Sequence, residues 1–214
     1  MYASRHGPDP GVAVARMTAA PAEEEPDELI EPAAGERPTR RKHHRLRIAL
    51  GIIVLLFAAV TARVFIWPDL APLPERADAI IEIGGPTIRD EAALELARDH
   101  RAPVLVQSTV VEEAGTHTCL PPVPDVTILC FHADPNTTRG EARAIGEMAA
   151  QYDWDSIILV TTPDHAWRAS WRVSRCFPGQ IYVSTTRLPF WSWFRQIPYQ
   201  WASSAKALTL ERGC

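Results

Sequence analysis

The sequence predicts an α/β fold with a mainly parallel sheet, preceded by one transmembrane helix. Three observations carry this reading. A 20-residue apolar stretch, residues 48–67, follows a dense basic run. Beyond it, five short apolar runs rich in β-branched residues alternate with segments of helical period, the pattern of a parallel sheet with crossover helices. All four cysteines, Cys119, Cys130, Cys176 and Cys214, lie beyond the apolar stretch.

Residues 1–47 predict a disordered cytoplasmic tail ending in a basic run. Up to residue 36 the tail is dominated by Pro, Ala, Gly and Glu, and it buries too little apolar surface to offset its ordering entropy. Residues 37–47 then hold six Lys/Arg among eleven positions. The following 48–67 suits a membrane span, which needs about 20 mostly apolar residues. Arg63 sits near its far end, where a long side chain can snorkel, and Trp67 suits the interfacial belt. No Lys or Arg occurs in 64–75, so the positive-inside rule puts the N-terminus in the cytoplasm and the C-terminal domain outside. Cysteine placement agrees, since disulfides belong to oxidising compartments. Four cysteines allow three pairings. A Cys119–Cys130 bridge would close a short Pro-rich loop and leave Cys176 to reach Cys214. A net charge of −4 gives no reason to expect nucleic acid.

Pro68, Pro72 and Pro74 mark residues 68–77 as a tether, and 78–214 as the outer domain. The runs are 79–83, 103–107, 126–131, 156–161 and 180–184. Helices are expected over 88–99, with Thr87 and Asp90 in capping spacing, from Thr138, with Glu141 in capping-box spacing, and after Thr162. The link from the second run to the third is too irregular for a full helix. Pro189 and Pro198 are expected to break any long helix through the aromatic stretch 188–201. That stretch is read as sheet-covering core, as a dip into the membrane interface, or as the wall of a cleft.

Polar residues gather just after the strand ends, where open parallel sheets bind ligands. His165, Arg168 and Arg172 share one face at the start of a helix, a place suited to anions. Arg168 offers two parallel hydrogen bonds to a phosphate or carboxylate, with Asp164 as a competing ion-pair partner. Asp134 is the candidate base, and Asn136 and Thr137 open a helix from a strand end. Gly84 and Gly85 permit close backbone approach. Ser108 lies in no nucleophile elbow, and Thr162 follows the fourth run. Arg139 and Glu141 are expected to face each other or solvent. The cysteine and histidine spacings give no metal-ligand pattern, and no cofactor is named by the sequence.

These pieces resemble the YdcF-like family, which includes the SanA and ElyC group of bacterial envelope proteins. ADAIIEIGG, residues 77–85, resembles the family's opening strand and glycine turn. VLVQST, residues 104–109, resembles its second strand, with Thr109 in place of the usual glycine. Asp134, Asn136 and Thr137 resemble its Glu-x-x-Ser-x-Asn-Thr region, and VTTPDHAWRA, residues 160–169, its Val-Thr-Ser-x-x-His-x-x-Arg-Ala signature. Where the family has an arginine after the glycine turn, Arg89 is the candidate. The resemblance covers residues 77–187 and implies a Rossmann-like three-layer domain, often anchored in the bacterial cell membrane. By position it carries over Gly84, Gly85, Ser108, Asn136, Thr137, His165 and Arg168.

The expected function is a membrane-anchored envelope protein that binds or processes a phosphorylated cell-wall intermediate, in lipid-linked or free form. His165 would be the acid/base or hydrogen-bond donor, with Asp134 and Asn136 orienting the reacting group. The alternative is a non-catalytic regulator that engages other envelope proteins. Membrane lipid is the remaining expected partner.

Overall fold

The computed structural model describes residues 38–109 and 119–214. The tail up to residue 37 and part of the link between the second and third runs, 110–118, lie outside the described residues.

Helix α1, Pro38–Thr61, begins inside the basic run rather than after it. Proline fits a first helical position because its missing N–H would be unpaired there anyway. A π-turn, Ala62–Ile66, continues the helix, and the Trp67 N–H donates to the Ala62 carbonyl at 2.8 Å. Pro68 follows and cannot continue the ladder. Lys42–Ile66, 25 residues, is long and apolar enough to cross a membrane. It is not a core helix, because Ile53, Leu55, Leu56 and Phe57 are exposed. Phe65, by contrast, is buried. Arg63 reaches the Trp67 carbonyl at 3.0 Å and pairs with Asp69.

The domain is a five-stranded, all-parallel sheet in the order β3-β2-β1-β4-β5. The strands are β1 Ala79–Glu82, β2 Val104–Ser108, β3 Thr127–Phe131, β4 Ser156–Thr161 and β5 Gln180–Thr185. The helices are α2 Ile88–Arg98, α3 Thr138–Tyr152, α4 Pro163–Val173 and α5 Trp193–Thr209, the last preceded by a 3-10 turn at Phe190–Ser192. Strand alternation divides the core into two layers. Ile80, Leu105, Ile158 and Val160 pack with Ala93, Leu94 and Ala97 of α2. Ile81, Val106, Ile157 and Leu159 pack with Ala142, Ile145 and Ala149 of α3 and Val173 of α4. Helices on both faces make the three-layer, Rossmann-like arrangement. The central strands β1 and β4 are apolar on both faces because both are covered, whereas β3 and β5 at the edges are only partly buried.

At the N-terminal edge, Asp78 joins β1 to β4. Its carboxylate accepts from the Asp155 and Ser156 N–H groups and the Ser156 hydroxyl at 2.8–2.9 Å. Cys119 pairs with Cys130 and Cys176 with Cys214. The first bridge closes the approach to β3, and the described part of the β2–β3 link holds no helix.

Three local expectations are corrected. Thr87 precedes α2 without a side-chain cap, because it already has helical backbone angles. For α3 the cap is Thr137, whose hydroxyl accepts from the Gly140 N–H at 3.2 Å, so Thr138 lies inside the helix. Pro198 does not end a helix but sits within α5. An internal proline costs about 3 kcal/mol. The burial of Gln200, Ser204 and Ala207 and the packing of Trp201 on α1 offset that cost.

Candidate functional site

A two-lobed cleft opens beyond the carboxyl ends of β1 and β4. From these central neighbours the chain winds toward opposite sheet edges, so this is the topological switch point of the fold. The lobes, about 280 and 210 Å³, share Gly84, Thr138, Arg168 and Tyr199.

The glycine turn is built around Arg89. Gly85 has φ 157°, and a Cβ there would collide with the Arg89 guanidinium. Without it, Arg89 folds under the turn and donates to the carbonyls of Ile83 at 2.8 Å and Gly84 at 2.7 Å. Its other nitrogen donates to the Thr162 hydroxyl at 2.9 Å, linking the end of β1 to the start of α4. Burial lowers the Arg89 pKa, and the charges of Glu141 and Asp164 oppose that shift.

Glu141, expected to face Arg139 or solvent, is buried in the cleft wall. Its Oε1 accepts from the Gly84 N–H at 2.7 Å, and the Ser108 hydroxyl bonds the same carboxyl. Burial raises this carboxyl above the ordinary range, while these two hydrogen bonds and the charges of Arg89 and Arg168 pull it down. Arg139 instead donates to the Cys214 carbonyl at 3.1 Å. Gly140 lets this part of α3 come close, because a Cβ there would strike the Pro135 carbonyl.

Arg168 is held in the plane of a polar relay. Its Nε donates to the Gln200 amide oxygen at 3.0 Å, and one terminal nitrogen donates to the Thr138 hydroxyl at 2.9 Å. The Gln200 amide nitrogen donates onward to Asp164 at 2.8 Å. Asp164 therefore supports Arg168 through Gln200 rather than pairing with it. The Tyr199 ring lies 5.8 Å from the guanidinium carbon. His165 lines the smaller lobe, buried, with no partner for Nδ1. Burial, then the charges of Arg168 and Arg89, lowers its pKa well below the ordinary value, so the ring is neutral at physiological pH.

The larger lobe is cationic. Arg139, Arg168, Arg172 and Lys206 face Glu141 and Glu211. Arg172 binds the Glu211 carbonyl and carboxylate, and Lys206 binds that carboxylate at 2.9 Å.

The structure thus brings together Gly84, Asn136, Thr137, Thr162, His165 and Arg168 of the residues named from sequence. Ser108 stands behind the wall, against Glu141. Gly85 supports Arg89 and does not line either lobe. Asp134 is corrected: it is exposed and lines neither lobe. The turn at Pro135, whose carbonyl accepts from the Thr137 N–H at 2.7 Å, leaves Asp134 on the outside of the loop. The acid at the cleft is Glu141. Among the described residues there is no cluster of three or more His, Cys, Asp or Glu side chains that would hold a metal. Sequence reasoning missed Glu141 and Gln200. An acid spaced four and eight residues before Ile145 and Ala149 sits on the apolar stripe of α3, and that was the readable sign for Glu141. Gln200 had no such sign.

No protein-family model, curated protein or solved structure matches the chain.

Proposed function

We propose that the chain is a membrane-anchored protein of the bacterial cell envelope whose cleft takes a phosphorylated cell-wall intermediate, the lipid-linked form being the one an anchor favours. The observation that carries this is Arg168, fixed from two sides by Gln200 and Thr138 beside the first turn of α3. A guanidinium so held is preorganised for an oxyanion, and helix starts add partial positive charge. The resemblance to the YdcF-like family supports the envelope setting, and the basic run before the span, with all four cysteines beyond it, supports an inside N-terminus and an outside domain. Within this reading, Glu141 is the acid–base group best suited to a reaction, because it is a carboxyl in the cleft wall whose pKa burial raises. His165, being neutral, serves as a hydrogen-bonding group toward the ligand.

A second reading is a non-catalytic regulator using the same pocket. It is favoured by Glu211, which already occupies Arg172 and Lys206 from within the chain.

The test is mass spectrometry of small molecules retained by the detergent-solubilised full chain after exposure to envelope extract. Retention of an anionic intermediate by the natural chain and not by Arg168→Ala supports the binding reading. Equal retention by both sinks it. If the Glu141→Gln variant retains the molecule unchanged while the natural chain converts it, the protein is an enzyme. Retention without conversion by either leaves the regulator.

A further inference from the structure

Helix α5 has two working flanks. At 3.6 residues per turn, positions seven apart fall nearly in line. Tyr199, Ser203 and Lys206 take one flank and line the cleft. On the other flank lie Phe194, Trp201 and Leu208, with Ile197, Pro198 and Ala205 between them. Phe194 is 69% exposed, and the preceding turn adds Phe190 at 68% and Trp191 at 79%. These three rings form one cluster with centroids 5.5–6.1 Å apart. A soluble domain rarely leaves such a patch open without a surface to cover it.

The position of Trp201 identifies that surface. It lies on the same stripe, stacks on Phe57 at 5.1 Å and meets Phe65 edge-on at 5.3 Å. Its indole N–H donates to the Thr61 hydroxyl at 3.1 Å. The stripe is therefore continuous with the apolar surface of α1. Phe57 lies nine residues before Ile66, or about 14 Å along a helix rising 1.5 Å per residue. Lys42–Ile66 is about 37 Å long, against a hydrocarbon core of about 30 Å. A side chain stacked on Phe57 thus sits at or below the boundary between hydrocarbon and headgroups. The aromatic cluster is two turns away on the same stripe. Exposed Arg187 and Arg195 flank it, as cations do beside an interfacial segment.

We propose that α5 and the turn Phe190–Ser192 lie in the interface of the bilayer that holds α1. The stripe faces lipid, and the cleft opens at headgroup level on the opposite flank. This rests on α1 crossing the membrane, and it narrows the cleft's ligand to one whose anionic head is presented by a lipid.

The full chain, reconstituted in phosphatidylcholine–phosphatidylglycerol vesicles with and without bromine on the acyl chains, tests this. Brominated lipid quenches tryptophans within contact range. The quenching of Trp191 is obtained by difference from Trp191→Phe, and that of Trp67 from Trp67→Phe. Both rings are mostly exposed, so neither substitution removes core packing. Loss of Trp191 emission to the same fraction as Trp67 emission is expected. Unquenched Trp191 beside quenched Trp67 overturns the placement of α5 while leaving the span intact. Self-crosslinking in that case would mean that a second copy covers the patch. If Trp67 is also unquenched, the span reading itself falls and takes the proposal with it.

Discussion

The two ends of the sheet treat polar groups in opposite ways. At the N-terminal edge, Asp78 accepts three hydrogen bonds from Asp155 and Ser156. Burial alone would raise its carboxyl, but these bonds outweigh that and lower it. At the C-terminal edge, polar atoms remain unpaired: Asp164 Oδ1, His165 Nδ1, Arg89 Nε and Thr161 Oγ1. Unpaired buried polar groups each cost free energy, roughly 1–3 kcal/mol. A protein keeps several together where something else completes them, which is why the proposed ligand is assigned to the unfinished end.

The comparison can be broken or sharpened in four ways, from the largest effect down. Glu141→Ala removes the acceptor for Gly84 and Ser108 and a compensating charge beside Arg89. It should cost about 3 kcal/mol in denaturant unfolding and abolish ligand retention. A loss below about 1 kcal/mol would show that this carboxyl is not structural.

Glu82→Gln should act through pH. Burial, together with Asp90, pushes the Glu82 carboxyl up to about 8. In the unfolded chain it titrates at its ordinary value of 4.5. Between those values the folded state holds a proton that the unfolded state has lost, so this group lowers stability as pH rises. The variant should be more stable than the natural chain by on the order of 2 kcal/mol at pH 6 and by more toward pH 8, and the difference should vanish toward pH 4.5. Tm measured across that range checks the slope, and a constant offset would refute the assignment.

Asp78→Asn weakens the finished end. About 1.5 kcal/mol of stability should be lost, with ligand retention unchanged. If retention falls as well, the two ends are not separable. Glu211→Gln touches only the rim of the unfinished end. Arg172 is buried, but the residue 211 carbonyl and the new amide still accept from it, so stability should fall by about 1 kcal/mol, while inorganic phosphate binds more tightly in calorimetry because Arg172 and Lys206 lose the charge of their internal partner. Unchanged or weaker phosphate binding would mean that Glu211 does not compete for this site.

Much of the architecture is legible in the sequence. Runs such as 156–161 are short, β-branched and bounded by helical segments, and only a covered parallel strand satisfies that pattern. Part of the site was legible for a related reason: Gly84, Thr162, His165 and Arg168 sit at strand ends, and strand ends can be counted. What failed depended on contacts far apart in sequence. Glu141 meets Gly84 across 57 residues, and Gln200 meets Arg168 across 32. Nothing local distinguishes Gln200 from a solvated side chain, and for Glu141 the one local sign is its place on the apolar stripe of α3. Pro198 misled because its intrinsic preference is strong, yet packing against α1 and the sheet domain overrides it.

The segment 68–77 was expected to act as a spacer. Ten residues in a polyproline-like conformation would span about 31 Å. Here Leu73 instead packs on the core, and Arg101 donates to the Pro74 carbonyl at 2.8 Å. With Phe65 buried and Trp201 seated on Phe57, the domain has no slack. Read as an anchored protein, it cannot sweep a volume above the bilayer. Its encounters would be those of two-dimensional diffusion, and its reach would be a fixed height rather than a radius. Inserting a long Gly-Ser segment after Pro74 would add reach but lose that fixed orientation.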